Sequence, residues 1–158
     1  MGRNTATSFP KFVGEYWAKK LNENTLSNQN GFIDNIEKIT EDNDNFRKVI
    51  YTANNCQLVA MSLDVNEDIG AETHTLDQFF RIEEGTGISV IDGKEYEIYP
   101  GAGIIIPAGV KHNIINTGDT KLKLYSIYSP PNHKDGTIHK TKEIAKSDDE
   151  HFDGETTT

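Results

Sequence analysis

The sequence is poor in the residues that mark disulfide-stabilised or nucleic-acid-binding proteins. Cys56 is the single cysteine in 158 residues, so the sequence has no internal disulfide framework, and the reducing cytoplasm is the expected compartment. Because Cys56 precedes an apolar run, we expect a buried, inert thiol. The 16 Lys and Arg residues are outnumbered by 25 Asp and Glu residues, for a formal net charge of −9. This excess of negative charge disfavours binding to nucleic acid or to anionic lipid.

Long apolar runs are also missing. No run approaches the roughly 18 apolar residues that a membrane-spanning helix needs. Residues 1–9 lack the apolar core of a secretory signal. We therefore expect a protein without a membrane partner. A length of 158 residues suits one domain with a single hydrophobic core.

From residue 46 onward, short β-branched or apolar runs alternate with turn signals. Runs occupy residues 49–52 and 58–65, and further strands are expected near residues 78–83, 87–91, 95–99, 103–106, 111–116 and 121–128. The dipeptide Asp92-Gly93 is typical of a hairpin turn. Many short, regularly spaced strands predict an all-β sandwich or barrel. Because lysines alternate with leucines from Lys121 to Leu124, the even-numbered residues of the last strand should face the core.

Polar segments flank this barrel, which is expected at residues 46–130. Residues 1–45 are an N-terminal extension in which an apolar stripe predicts a helix near residues 9–21. That helix would pack on the barrel or on a partner subunit, or act as a lid. A linker ends at Gly31, and residues 32–47 fit neither a helix nor a strand well. Residues 131–158 are a polar C-terminal tail whose acidic end is expected to be disordered.

Two motifs contain the candidate site. They are Glu72-x-His74-x3-Gln78-x6-Gly85 and Gly101-x5-Pro107-x-Gly109-x2-His112-x3-Asn116. On a strand, Glu72 and His74 face the same side because they are two residues apart. A straight strand would place Gln78 about 13 Å from His74, whereas donor atoms on one metal ion lie within roughly 3 Å of each other. A turn at residues 75–77 is therefore needed to bring Gln78 beside His74.

The two motifs resemble those of the cupin superfamily, and residues 46–142 resemble small single-domain cupins, some described as mannose-6-phosphate-isomerase-like. The resemblance implies a double-stranded β-helix, or jelly-roll barrel, with one divalent metal ion held by Glu72, His74, Gln78 and His112. Glu72 stands where the family pattern has histidine, and Gln78 stands where it has glutamate. Two imidazoles, a carboxylate and an amide oxygen suit Mn, Fe, Ni or Zn, and leave one or two positions for water or substrate.

The resemblance also implies a function. An enzyme of this kind would act on a small oxygen-rich molecule (a sugar, sugar phosphate, uronate or carboxylate) by isomerase, epimerase or lyase chemistry. An Fe(II) dioxygenase is a variant on the same site, and a non-enzymatic module that binds a metabolite or metal is the alternative. Glu72, if released from the metal, is the candidate catalytic base. We expect a homodimer that uses apolar surface at Phe79, Ile115 and the N-terminal stripe.

Further candidates lie inside the barrel and in the tail. Phe80, Tyr96 and Tyr128 are expected to line the interior, either as core residues or as substrate contacts. His133 and His139 follow the last strand. Both are either solvated or carried to the pocket mouth by a tail that folds back, and His139 is the candidate substrate contact in that case.

Overall fold

The structure is a computed structural model that describes residues 31–158, which form nine β-strands and two short α-helices. In chain order these are α1 Ile36–Glu41, β1 Arg47–Thr52, β2 Gln57–Leu63, β3 Asp77–Glu84, β4 Gly87–Ile91, β5 Lys94–Ile98, β6 Gly103–Ile106, β7 His112–Asn116, β8 Leu122–Ser129, β9 Ile138–His139 and α2 Lys142–Ser147. The predicted all-β class is therefore confirmed. Within these residues, neither helix has the length and apolar character needed to cross a bilayer.

Two antiparallel sheets make up the described domain. The larger has the strand order β6-β3-β8-β2-β1-β9, and the smaller has the order β5-β4-β7. One hydrophobic core contains residues from both sheets, including Phe80 and Leu124 from the larger sheet and Ile98 and Ile114 from the smaller. The even-numbered residues of β8 are buried, as the alternation of lysine and leucine predicted, because side chains on a strand alternate between its two faces.

The smaller sheet depends on two local features of the sequence. Asp92 and Gly93 have φ values of 52° and 80°, which are the positive angles that a two-residue type I′ hairpin requires, so the predicted turn is confirmed. At Gly87, the β-carbon of any other residue would lie 2.2 Å from the backbone oxygen of Ile115. Glycine is therefore required where β4 approaches β7.

The last motif residue, Asn116, is a structural anchor. Its side-chain nitrogen donates to the backbone oxygens of Leu63, Asp64 and Thr120 at 3.1, 3.0 and 2.8 Å. Its side-chain oxygen accepts from the Gly118 N–H at 3.0 Å. Because Asn116 is fully buried, these bonds satisfy an amide group that water cannot reach. The residue thereby ties the end of β7 to the loop after β2.

The C-terminal tail packs back on the domain, which differs from the disordered end that its composition suggests. The Phe152 N–H donates to the Asn132 carbonyl at 3.0 Å, and the Thr157 N–H donates to the Thr52 carbonyl at 3.0 Å. Thr52 in turn donates its N–H to the Thr157 hydroxyl at 2.8 Å. Thr52 lies on β1 and Asn132 lies just after β8, both far along the chain from their partners, so local composition carries no signal of these contacts.

Two other local expectations are resolved by the structure. Residues 36–41 of the stretch that fits neither pattern form α1, capped by the Asn35 side chain, which accepts from the Lys38 N–H at 3.0 Å. The expectation that Cys56 is buried is wrong, because it lies in the exposed turn between β1 and β2. The helix expected near residues 9–21 lies outside the described residues.

Candidate metal centre

Backbone pairing brings the two motifs together. Glu72 and His112 form an antiparallel bridge, in which each N–H donates to the other's carbonyl at 2.9 Å. The Gly109 N–H donates to the His74 carbonyl at 2.7 Å, which ties His74 to the Pro107–Gly109 turn. The chain bends at residues 75–76 before β3 begins. The predicted turn is therefore present, and Gln78 is the second residue of β3.

Four polar side chains converge where these segments meet. Glu72 Oε2 lies 3.1 Å from His74 Nε2, and His112 Nε2 lies 3.0 Å from Gln78 Oε1. The candidate donor atoms of Glu72, His74 and His112 all lie within 4.8 Å of one another. Donors on adjacent corners of a six-coordinate ion, with bonds of about 2.1 Å, are about 3 Å apart. The two close pairs therefore have the separation that a shared divalent ion requires.

The surroundings of His112 strengthen this fit. Its Nδ1 lies 3.1 Å from the Val110 carbonyl, and its Nε2 faces the Gln78 amide oxygen. Both neighbours are acceptors, but a neutral imidazole carries only one N–H. If Nδ1–H donates to Val110, the Nε2 lone pair faces the lone pairs of Gln78, and a cation between them would remove the repulsion. Burial lowers the pKa of His112, which disfavours a second proton as that cation.

The Gln78 side chain is held in place for such a role. It is 2% exposed, and its nitrogen donates to the Ser126 hydroxyl at 2.9 Å. With the amide in this orientation, the oxygen is directed at His112. Ser126 is opposite Phe80 in the β3–β8 register, and Tyr128 is opposite Gln78. The amide oxygen is therefore positioned by two neighbouring strands of the larger sheet.

Glu72 and His74 open onto a cavity of about 330 Å³. Arg47 is part of its wall, and one of its terminal nitrogens, Nη2, lies 3.9 Å from Glu72 Oε1, which is an ion pair without a close hydrogen bond. The Arg47 residue is 9% exposed, and its Nε atom is buried without a hydrogen-bond partner among residues 31–158. A buried cation with so few partners favours a negatively charged occupant nearby.

The structure places the remaining predicted residues in different surroundings. Phe80 is fully buried, with its ring centroid 6.0 Å from that of His112, so it packs beneath the site. Tyr128 is 2% exposed, and its ring meets His74 edge-on at 5.8 Å. His139 is buried on β9, where its Nε2 lies 2.9 Å from Asp148 Oδ2, and it does not line the cavity.

The expected position of Tyr96 is wrong. Its side chain is 51% exposed and does not line the cavity that contains Glu72. Tyr96 lies on β5, which is an edge strand of the smaller sheet and exposes four of its five residues. Strand parity alone predicts that Tyr96 lies inside beside Ile98, but only Ile98 packs in the hydrophobic core.

Sequence reasoning missed Arg47 and Glu150. Arg47 is the first residue of β1 and belongs to neither motif. Glu150 lies among the acidic residues of the tail, yet its carboxylate joins His133 at 2.6 Å and lines the same cavity as Glu72. Glu150 is 17 residues from its partner and follows no periodic pattern, so only the folded tail identifies it. Of the two environments that the sequence allows for His133, the structure has the one in which the tail folds back, because His133 is buried and lines this cavity.

Comparison with known proteins gives consistent matches. A family model described as a Cupin domain matches residues 59–128, which include all four converging side chains. The uncharacterized protein YrkC of Bacillus subtilis is 49% identical over 119 residues, which cover 70% of this chain and 63% of YrkC. This chain thus spans less than two thirds of the length of YrkC.

Two further matches cover more of the related protein. The uncharacterized protein L612 of Acanthamoeba polyphaga mimivirus is 45% identical over 120 residues, which cover 72% of this chain and 74% of L612. The crystal structure of BH2720 from Bacillus halodurans has a TM-score of 0.73 and 45% sequence identity, and the match covers 74% of this chain and 94% of BH2720.

Proposed function

This chain belongs to the cupin-domain family, and on that premise we propose that it binds one divalent metal ion and acts on a small oxygen-rich metabolite. The observation that carries the proposal is the convergence of four side chains with suitable donor atoms, Glu72, His74, Gln78 and His112. The reaction class that fits this donor set is isomerisation, epimerisation or lyase chemistry.

The donor set restricts the ion. Two imidazole nitrogens, a carboxylate and an amide oxygen favour Mn, Fe, Ni or Zn over Ca or Mg, which prefer oxygen ligands. When bound, the ion would supply Lewis acidity that polarises a carbonyl or hydroxyl oxygen of the substrate. Gln78 and His112 are buried, whereas Glu72 and His74 are partly exposed. A substrate would therefore approach from the Glu72 and His74 side.

The cavity wall supports a substrate with a negative charge. Arg47 lines this cavity and has only a loose ion pair, 3.9 Å from Glu72. If Glu72 binds a metal ion, it offers Arg47 less counter-charge, and Glu150 is then the other carboxylate whose charge acts on Arg47. A carboxylate or phosphate of the substrate would replace the lost counter-charge, since a guanidinium binds either group through paired hydrogen bonds. Sugar phosphates, uronates and small carboxylates all carry such a group.

The phenol of Tyr128 contributes shape rather than proton transfer. Burial raises the pKa of Tyr128 well above its usual value, so the side chain stays neutral. Its ring meets His74 edge-on and thereby fixes the orientation of that imidazole. The Phe80 ring packs against the His112 ring, with centroids 6.0 Å apart, and likewise limits the orientation of that imidazole. These contacts keep the two imidazoles oriented before any ligand arrives, which lowers the cost of binding.

A homodimer is part of the proposal. Phe79 is half-buried on the outer face of β3, where its ring lies 6.2 Å from that of Tyr125. Ile105 on the neighbouring strand is 71% exposed. An apolar face of this kind is stabilised by pairing with a second copy. Light scattering at micromolar concentration tests it, and a monomeric mass would contradict it.

A ligand screen tests the functional proposal. Protein loaded with Mn, Fe, Ni or Zn is mixed with sugars, sugar phosphates, uronates and small organic acids, and thermal unfolding is measured. A ligand at 100 times its Kd adds about 2.7 kcal/mol of stability, and NMR then follows its conversion. We expect a hit that is converted by wild type and neither bound nor converted by the double variant His74→Ala, His112→Ala. Binding without conversion of any hit would contradict an enzymatic role.

A further inference from the structure

A second histidine pairs with a carboxylate in the wall of the cavity. His133 Nδ1 lies 2.6 Å from Glu150 Oε1, and the other Glu150 oxygen accepts from the Lys134 N–H at 2.7 Å. The side chains of His133 and Glu150 are 6% and 9% exposed. Both residues line the cavity that Glu72 and His74 also line. The pair therefore shares a cavity wall with two of the four candidate metal ligands.

The hydrogen bonds define which nitrogen of His133 carries the proton. Burial alone would raise the pKa of Glu150, but the hydrogen bonds from His133 and from the Lys134 N–H outweigh it, so the pKa is lowered. An ionised carboxylate only accepts, and Nδ1 must therefore be the donor. Nε2 then carries a lone pair. The Asn132 side-chain nitrogen donates to this lone pair at 3.3 Å, so a substrate that approaches Nε2 would replace that long hydrogen bond.

Neighbouring residues hold both the backbone and the ring of His133. Gln57 is fully buried and holds the His133 backbone, accepting from its N–H at 2.9 Å and donating to its carbonyl at 2.7 Å. The ring stands edge-on to Tyr128, with centroids 5.1 Å apart. Tyr128 in turn stands edge-on to His74 at 5.8 Å. One buried tyrosine thus separates His133 from the candidate metal ligand.

We propose that His133 is the general base of the reaction and that Glu150 is its positioning residue, an inference that rests on the proposed function above. His133 Nε2 takes a proton from the carbon beside a carbonyl of the substrate. The C–H bond breaks, an N–H bond forms, and the electron pair moves into a C=C bond while the carbonyl oxygen takes the negative charge. Return of a proton from the imidazolium to that carbon restores His133. No oxidant or reductant is needed.

The electrostatic surroundings of His133 agree with a base that is neutral at pH 7. The groups that face it are Tyr128 on β8, Arg47 on β1, Glu72 before β3 and Glu150 in the tail. Burial lowers the pKa of His133, and the hydrogen bond with Glu150 opposes that shift without cancelling it. The Glu150 carboxylate would stabilise the imidazolium that forms during proton transfer, as carboxylates do in other histidine–carboxylate pairs.

Deuterium exchange tests the proposal with the full-length, metal-loaded protein. Pyruvate, glucose 6-phosphate and galacturonate serve as probes in D2O. Proton NMR follows loss of the signal from the hydrogen on the carbon beside the carbonyl, as deuterium replaces that hydrogen. His133→Gln is expected to slow exchange at least about 100-fold, which is the usual contribution of a general base. Asp149→Asn is the matched control, because it removes the neighbouring carboxylate, which is exposed and forms its one ion pair among the described residues with the exposed His151. It should exchange at the wild-type rate.

Glu150→Gln separates positioning from a structural role. Losing the carboxylate lowers the pKa of His133, because the charge that favoured its protonated form is gone. The rise of exchange rate with pH should therefore move to lower pH in Glu150→Gln, while Asp149→Asn keeps the wild-type profile. An unmoved profile in Glu150→Gln would overturn the positioning role. Exchange at the wild-type rate in His133→Gln, with metal content and thermal stability retained, would overturn the general base.

Two readouts keep this inference distinct from the proposed function. Nitrogen-15 NMR of wild type at pH 8 should find Nδ1 of His133 protonated and Nε2 bare, and the reverse tautomer would overturn the base assignment whatever the substrate. A protein that binds metal and probes but exchanges no deuterium would also overturn it, while the metal site stands. A protein that binds no metal would instead contradict the proposed function.

Discussion

Replacing Gln57 with leucine should loosen the backbone of His133, which forms part of the cavity wall. Gln57 is fully buried and makes four hydrogen bonds. Its nitrogen donates to the Thr52 hydroxyl at 2.9 Å and to the His133 carbonyl at 2.7 Å. Its oxygen accepts from the N–H groups of His133 and Asn132 at 2.9 and 3.3 Å. A leucine of similar size fills the space but satisfies none of these partners.

The expected loss of stability follows from the groups left without partners. A buried donor or acceptor without a partner costs about 1–3 kcal/mol. The two close backbone bonds of His133 fall in that range, and the 3.3 Å bond from Asn132 is weaker. Allowing for partial relaxation and entry of water, we expect Gln57→Leu to lower the free energy of unfolding by about 3 kcal/mol.

Urea unfolding followed by circular dichroism measures this change, and the slope against urea should stay constant because the folded state remains compact. Cys56→Ser is the control, since that exposed neighbour should change stability by less than about 0.5 kcal/mol. Amide hydrogen exchange at His133 should accelerate in Gln57→Leu. A loss below about 1 kcal/mol, with unchanged exchange at His133, would refute the view that Gln57 anchors this wall.

Three further changes have defined outcomes. Gly87→Ala should lower stability in urea unfolding by more than Gly93→Ala does. The β-carbon of Ala at position 87 would lie 2.2 Å from the Ile115 oxygen, whereas Gly93 has open space and only a strained φ of 80°. Equal losses would contradict the close approach at Gly87. Acidification should reduce the stability of the metal-free protein first below about pH 6.5, because burial lowers the pKa of His133 from that value, and the unfolded chain then binds a proton that the folded one does not. The ionised partner Glu150, whose pKa is held below 4.5, adds a second loss as pH falls below that value; stability that is flat from pH 8 to pH 4 would contradict both. Arg47→Met should weaken binding of an anionic ligand about 10- to 100-fold in calorimetry, and an equal effect on an uncharged sugar would contradict an anion contact.

The parts of the fold that sequence predicted are those set by local patterns. Leu122 and Leu124 are predicted on the core-facing side of β8 because side chains on a strand alternate between its two faces. Asp92-Gly93 predicts its turn because few dipeptides tolerate two positive φ angles. The bend before Gln78 followed from the short distances between metal ligands. Each of these depends on a few neighbouring residues, so the sequence alone contains the information.

The parts that sequence did not predict depend on tertiary contacts. Tyr96 has the same parity as Ile98 but is half-exposed on β5, an edge strand of the smaller sheet. Arg47 becomes a wall of the cavity only because β1 lies beside β2 and β9. Glu150 has the sequence surroundings of a solvated acidic tail, and only the folding of that tail onto His133 encloses it. Burial and long-range pairing, rather than residue type, determine these positions.

Elemental analysis of protein purified without added metal tests the central claim most directly. We expect about one Mn, Fe, Ni or Zn ion per chain in wild type, and loss of that ion in the double variant His74→Ala, His112→Ala. The ion should also dissociate as pH falls below about 6.5, since imidazole binds metal only when neutral. A content below about 0.2 ion per chain that is the same in wild type and the double variant would contradict a metal centre at these four side chains.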